Sequence, residues 1–193
     1  MASTPTLPNR TFASGSEATP LGASGPSKTL PPLPAALATA GAAERLRILT
    51  DHKTIAMVGL SADPMRPSHF AAIYMLAEGY DVIPVNPRYA GQAILGQPVY
   101  ASLAEIPRPV GIVDVFRKPQ DVPPIAEEAI RIGAPVLWLQ LGVVNEEAAA
   151  TARAAGLDVV MDRCVKIEHA RFFGGLNLVG MNTGVVTARR TVG

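Results

Sequence analysis

The chain is short of cysteine, aromatic residues and charge. Cys164 stands alone among 193 residues, which excludes an intramolecular disulfide and a multi-cysteine metal centre. Charged residues make up 17% and aromatic residues 5%, with 17 Lys+Arg against 16 Asp+Glu. So balanced a chain carries no electrostatic footprint for nucleic acid, and no block of like charge marks a polyanion-binding tail. Apolar residues reach 48%, enough for a real core, yet no uninterrupted run attains the roughly 18 residues that would span a bilayer. Met1 to Arg10 lacks the basic start and apolar stretch of an export signal. Together with the lone thiol, this sets the expectation of a cytoplasmic protein.

What the chain has in abundance is proline and glycine, 18 and 17 residues. Seven of the prolines (Pro5, Pro8, Pro20, Pro26, Pro31, Pro32 and Pro34) fall in residues 1–34, among Ser, Thr, Ala and Gly. That composition buries too little apolar surface to offset its ordering entropy, so the segment reads as a flexible tail.

From Ala35 the pattern alternates. Ala35 to Asp51 reads as a helix, with Ala43, Leu46 and Leu49 on its apolar face. Short apolar runs rich in strand formers follow at Thr54–Leu60, Tyr80–Val85, Gly111–Phe116, Pro135–Gln140 and Asp158–Met161. Between them lie helical segments: one opened by Ser68 and stopped by Gly79, one with prolines in its first turn and Gly133 at its end, and one opened by Asn145 and closed by Gly156. A long loop with a short helical turn near Ser102 to Ile106 precedes the third strand, and a last helix runs from Arg163 to Phe173. Five strands interleaved with helices make an α/β fold: a Rossmann-like, doubly wound, parallel five-stranded sheet with helices on both faces. The strands are nearly continuous apolar runs, as expected when both faces are covered. The expected domain spans residues 35–173, and residues 174–193 form a C-terminal extension.

In such sheets ligands bind beyond the carboxyl ends of the strands. The first such loop, Gly59 to Phe70, lacks the three spaced glycines of a dinucleotide fingerprint, because Ser61 and Pro64 stand at the second and third positions. It carries instead the hydroxyls of Ser61 and Ser68 and the cation of Arg66, groups that suit a phosphate and equally an ordinary solvated turn. At the end of the second strand, where NAD-binding folds carry an acid for the ribose, stand Asn86, Pro87 and Arg88. Arg88 there admits a ribose phosphate, as in NADP or coenzyme A, or simply faces water. The third and fourth strands end in Arg117–Lys118 and in Gln140 and Gly142. Trp138 reads as core, and Asp114 as a hydrogen-bonded carboxylate inside an apolar strand.

The segments "IAMVGLSADPMRPSHFAAIYMLAEGYDVIPVNP", "VDVFRKP", "WLQLGVVNEEA" and "VVMDRC" resemble the small bacterial CoA-binding domain family. That family is similar to the nucleotide-binding domain at the start of the succinyl-CoA synthetase alpha subunit. The resemblance covers Glu44 to Phe173. It implies a domain that binds coenzyme A or an acyl-CoA. It also implies Gly59, Leu60, Ser61, Arg66 and Ser68 around the diphosphate and pantetheine, and Asn86, Pro87 and Arg88 at the adenosine end. Phe116, Arg117 and Pro119 would line the adenine, and Gln140 and Gly142 the pantetheine path.

No catalytic set emerges beside this. His52, His69 and His169 form no Ser–His–Asp or Cys–His pattern by spacing, although a protonated His69 would help to hold an anion. No metal site is expected. Cys164, at a helix start beside Arg163 and near Lys166, is either a small buried hydrophobe or a thiol activated by those charges toward a mixed disulfide with CoA. The expectation is therefore a non-catalytic, cytoplasmic CoA-binding module. Its alternatives are a CoA-presenting subunit of an acyl-CoA ligase or transferase, and an NAD(P)-binding redox regulator. The partner expected is the small molecule, with no nucleic acid and no membrane; self-association or a separate enzyme subunit is left open.

Overall fold

In the computed structural model, the described residues are 40–174. The tail at 1–34, the helical reading of residues 35–39 and nearly all of the extension at 174–193 lie outside them. The elements run α1 (Ala42–Asp51), β1 (Thr54–Val58), α2 (Pro67–Ala77), β2 (Asp81–Val85), β3 (Ala93–Ile94), β4 (Gln97–Pro98), β5 (Ile112–Val115), α3 (Val122–Arg131), β6 (Val136–Leu139), α4 (Glu146–Ala154), β7 (Asp158–Val160) and α5 (Val165–Phe173). The five long strands form one parallel sheet in the order β2-β1-β5-β6-β7, the expected doubly wound architecture. None of the described helices is long and apolar enough to cross a membrane.

Strand side chains alternate between two apolar layers. Ala56, Val113, Val115, Leu137 and Leu139 pack with α3 and α4. Ile55, Met57, Ile112, Val136 and Trp138 pack with Ile48 and Leu49 of α1, with α2 and with Val165 of α5. Trp138 is fully buried, as expected, and its indole N–H donates to the Arg163 carbonyl at 2.7 Å. The order in which strands are added reverses between β1 and β5: from β1 the chain winds outward to β2, then returns to the other side of β1. The carboxyl ends of these two strands therefore flank a crevice.

Three local readings are corrected. Helix α1 buries Arg45, Ile48 and Leu49 and leaves Ala43 and Leu46 exposed. Its inner face is rotated because Arg45 is pulled inward by Glu168 of α5 at 2.9 Å. Helix α2 is capped at Arg66, with Pro67 in the first turn, so Ser68 lies inside the helix. The long loop after β2 contains a small antiparallel hairpin, β3–β4, turned by Leu95 and Gly96, both at positive φ. Asn145 does cap α4, accepting the Ala148 N–H at 2.9 Å, a contact that contributes about 1 kcal/mol.

Candidate functional site

The loops after β1, β2, β5 and β6, with the first turns of α2 and α5, enclose one cavity of about 830 Å³. It lies over the β1/β5 crossing, where the topology directs a ligand.

Gly59 follows β1 and takes φ +89°. A Cβ there would lie 2.6 Å from the Phe116 carbonyl oxygen. Glycine is thus required by the contact between the β1 and β5 loops. After it, the chain braces itself. The Ser61 N–H donates to Ser68 Oγ at 3.2 Å, the Asp63 N–H to Ser61 Oγ at 3.1 Å, and His69 Nδ1 meets the Ser61 carbonyl at 2.9 Å. His69 is therefore committed to the loop backbone and does not line the cavity, contrary to an anion-holding role.

Asn86 joins two loops. Its Nδ2 donates to the Leu60 carbonyl at 2.9 Å, and its Oδ1 accepts the Arg88 N–H at 3.1 Å, opening a single 3₁₀ turn over Pro87–Tyr89. That turn holds the exposed Arg88 guanidinium 5.6 Å from the centre of the Tyr89 ring, and among the described residues it has no acidic partner.

Of the residues singled out in the sequence, Gly59, Ser61, Arg66, Ser68, Asn86, Pro87, Arg88, Phe116, Arg117 and Gln140 all line this cavity, and so does Cys164. Leu60, Pro119 and Gly142 do not. Leu60 is fully buried in the core, and the Pro119 carbonyl accepts Asn145 Nδ2 at 2.9 Å. Gly142, at φ +82°, donates its N–H to Asp162 Oδ1 at 2.7 Å. Among the lining residues that the sequence reading did not assign are Met65, Phe70, Tyr89, Val143 and Ile167, and it named Lys166 only as a charge near Cys164. Phe70 had a local signal, since it follows Ser68 in the first turn of α2. Ile167 arrives through the return of α5 across the sheet, a tertiary event without a local signature, whereas Lys166 was marked by its place at the helix start beside Cys164.

The wall has a consistent electrostatic character. Arg66, Arg88, Arg117 and Lys166 contribute four cations, and no carboxylate lines the cavity. The acids that pair with two of these arginines sit behind them: Asp121 lies 3.2 Å from Arg117, and Asp63 lies 3.7 Å from Arg66. Beside the cations lie Met65, Phe70, Phe116, Val143 and Ile167, so the cavity suits a ligand that is anionic in one part and apolar in another.

Cys164 behaves differently from the sequence expectation. Burial pushes its thiol above the ordinary range and Asp114 adds to this, while the Ile167 and Lys166 backbone and the Lys166 charge pull it down. The helix start and nearby cations are present, but enclosure outweighs them. Asp114 is wholly buried in β5 and accepts Gln140 Nε2 at 2.6 Å.

Comparison with known proteins extends this picture. A family model described as a CoA binding domain matches residues 53–170. The uncharacterized protein YneT of Bacillus subtilis (strain 168) is 45% identical over 128 residues, which are 66% of this chain and 93% of the relative. A hypothetical protein from Pyrococcus horikoshii OT3 superposes with a TM-score of 0.66 at 39% identity, covering 74% of this chain and 98% of that one. Dinucleotide-forming acetyl-coenzyme A synthetase 1 of Ca. Korarchaeum cryptofilum shares the fold at 19% identity and a TM-score of 0.51, over 57% of this chain and 26% of its own.

Proposed function

The chain belongs to the CoA-binding domain family, and we propose that its cavity takes coenzyme A or an acyl-CoA and performs no catalysis of its own. The observation that carries this reading is the wall of four cations without a carboxylate, in a chain whose net charge is only +1. Coenzyme A is a polyanion at its nucleotide end and an uncharged arm at the other, and the wall offers counterparts for both. In this reading Arg66, with the loop from Gly59 to Ser68, meets the diphosphate. Arg88 meets the ribose 3'-phosphate, Phe116 and Arg117 flank the adenine, and Gln140 and Val143 border the pantetheine arm. NAD suits the site less well, because Asn86 and Arg88 stand where a ribose-binding acid would be needed. The setting proposed is the cytoplasm.

Titration calorimetry with CoA, dephospho-CoA and NAD(H) tests the assignment. CoA should bind most tightly; binding of NAD without CoA would overturn it. Native mass spectrometry of the purified chain should show retained CoA or acyl-CoA.

One observation favours a second reading. Helix α2 carries no Asp, Glu, Lys or Arg; its Phe70, which lines the cavity, and its Ile73 are nearly half exposed. Such a face suits a domain that presents bound CoA to a separate ligase or transferase chain. Acyl-CoA formation only on addition of that second chain would support this reading over the autonomous one.

A further inference from the structure

Asp114 is fully buried, with Met57 and Trp138 beside it in the sheet register. Its Oδ1 accepts Gln140 Nε2 at 2.6 Å, and its Oδ2 is buried with no hydrogen-bond partner among the described residues. An unpaired buried carboxyl costs stability, so it persists where it serves some purpose beyond packing. Its one partner points to that purpose. Gln140 is itself nearly buried, lines the cavity, and is held in place by its backbone, which donates to the Val115 carbonyl and accepts the Val143 N–H. With Nε2 engaged by Asp114, the amide oxygen Oε1 is left without a protein hydrogen bond among the described residues. An amide free to flip would offer either end to the ligand, whereas one held at Nε2 turns its oxygen Oε1 toward the cavity as an acceptor, with a second Nε2 N–H beside it.

We propose that Asp114 is a positioning residue for ligand binding: it grips the Gln140 carboxamide from beneath the cavity wall, so that Oε1 meets the ligand as a fixed acceptor for an amide N–H or hydroxyl. The inference rests on the CoA reading, since the pantetheine arm carries amides and a hydroxyl of this kind.

The position of this carboxyl under the cavity has a pH signature. Burial raises the Asp114 pKa to about 8, against a smaller opposing pull from the Gln140 hydrogen bond, so the carboxyl is mostly protonated at pH 7. On the elements packed over this face, the titratable groups at the cavity end are His69 of α2, tied to the Ser61 carbonyl, and Cys164 and Lys166 at the start of α5. Cys164 is the group electrostatically coupled to Asp114. A bound polyanion would bring negative charge nearer to Asp114, so the carboxyl holds its proton more firmly in the complex than in the free protein. Affinity is therefore full below about pH 8 and falls as pH rises through that value.

Calorimetry of the full chain with CoA from pH 6.5 to 9.5 tests this, using Asp114→Asn, which keeps the shape and the acceptor but cannot ionise. Wild-type affinity should fall about tenfold relative to the variant across the range, the equivalent of one unit of pKa shift. The affinity of the variant should stay level from pH 6.5 to 9.5. Gln140→Leu should weaken binding at every pH and remove the difference. Parallel profiles for wild type and Asp114→Asn would overturn the proposal. A second readout needs no ligand: carbon-13 NMR of the Asp114 carboxyl should show a titration near 8 that moves the Gln140 side-chain amide signals. A titration in the ordinary carboxylate range, or an unmoved Gln140 amide, would equally overturn it. Failure of wild type to bind CoA at any pH would instead overturn the proposed function, and the NMR titration would still decide whether Asp114 grips Gln140.

Discussion

Arg45 and Glu168, 123 residues apart, form a buried ion pair at 2.9 Å that ties α1 to α5. Arg45 also donates to the Ala40 carbonyl, and Glu168 accepts from Arg171 at 3.1 Å. Removing Arg45 leaves the buried Glu168 with Arg171 and takes away its shorter ion pair. Arg45→Ala should lower stability by about 2–3 kcal/mol, since Arg171 still faces Glu168, while the paired change of Arg45→Met with Glu168→Leu should cost less. Urea unfolding of the single and double variants measures both. A loss below about 1 kcal/mol for Arg45→Ala would place the pair among ordinary surface bridges.

Arg88 has no acidic partner among the described residues and stands at the cavity edge, so its charge is available to a phosphate. Arg88→Ala should weaken CoA by about tenfold or more, as for loss of a charge-assisted hydrogen bond, and leave dephospho-CoA nearly unchanged. Equal losses for the two ligands in calorimetry would remove Arg88 from the 3'-phosphate.

Cys164 faces the cavity with its thiol pushed up by enclosure. Mixed-disulfide formation with oxidised CoA should therefore be slow at pH 7 and accelerate as pH rises, because the thiolate is the nucleophile. Intact-mass spectrometry follows the adduct over time. Rapid modification of Cys164 at pH 7 would show that the helix start and Lys166 outweigh burial after all.

His169 packs against Tyr74, Tyr80 and Phe173, with its Nδ1 3.1 Å from the Tyr74 hydroxyl. Burial, with the nearby Lys53, holds its pKa below the ordinary 6.5, against an upward pull from Glu78. The folded protein thus binds fewer protons here than the unfolded chain as pH falls below 6.5. The stability this site contributes is complete above that value and declines as pH drops through the folded pKa. Urea midpoints at pH 7.5 and 5.5 should fall more for wild type than for His169→Gln. Equal falls would assign the acid sensitivity to other groups.

Much of the fold was legible because a doubly wound sheet is written in local terms. Its strands are short apolar runs, and Gly79, Gly133 and Gly156 end helices at positive φ. What was not legible depended on partners distant in sequence. The inner face of α1 is set by Glu168, more than a hundred residues away. The β3–β4 turn uses Leu95 at φ 53°, a residue that advertises no such conformation. At the site, strand ends located Gly59, Asn86, Arg88 and Gln140, because such folds gather their loops at that edge. The α5 contribution of Ile167, and the internal use of Ser68, follow from how the loops brace one another.

That bracing has a thermodynamic consequence. Asn86 bonds the β2 loop to the β1 loop, Ser68 and His69 fix Ser61, and Asp162 anchors Gly142 beside the cavity. The ordering of these loops is completed by folding, so a ligand arriving at the empty site has little backbone entropy left to remove. Association should therefore proceed as a rigid docking event, with small changes in the loops and a rate set by encounter with the cationic wall.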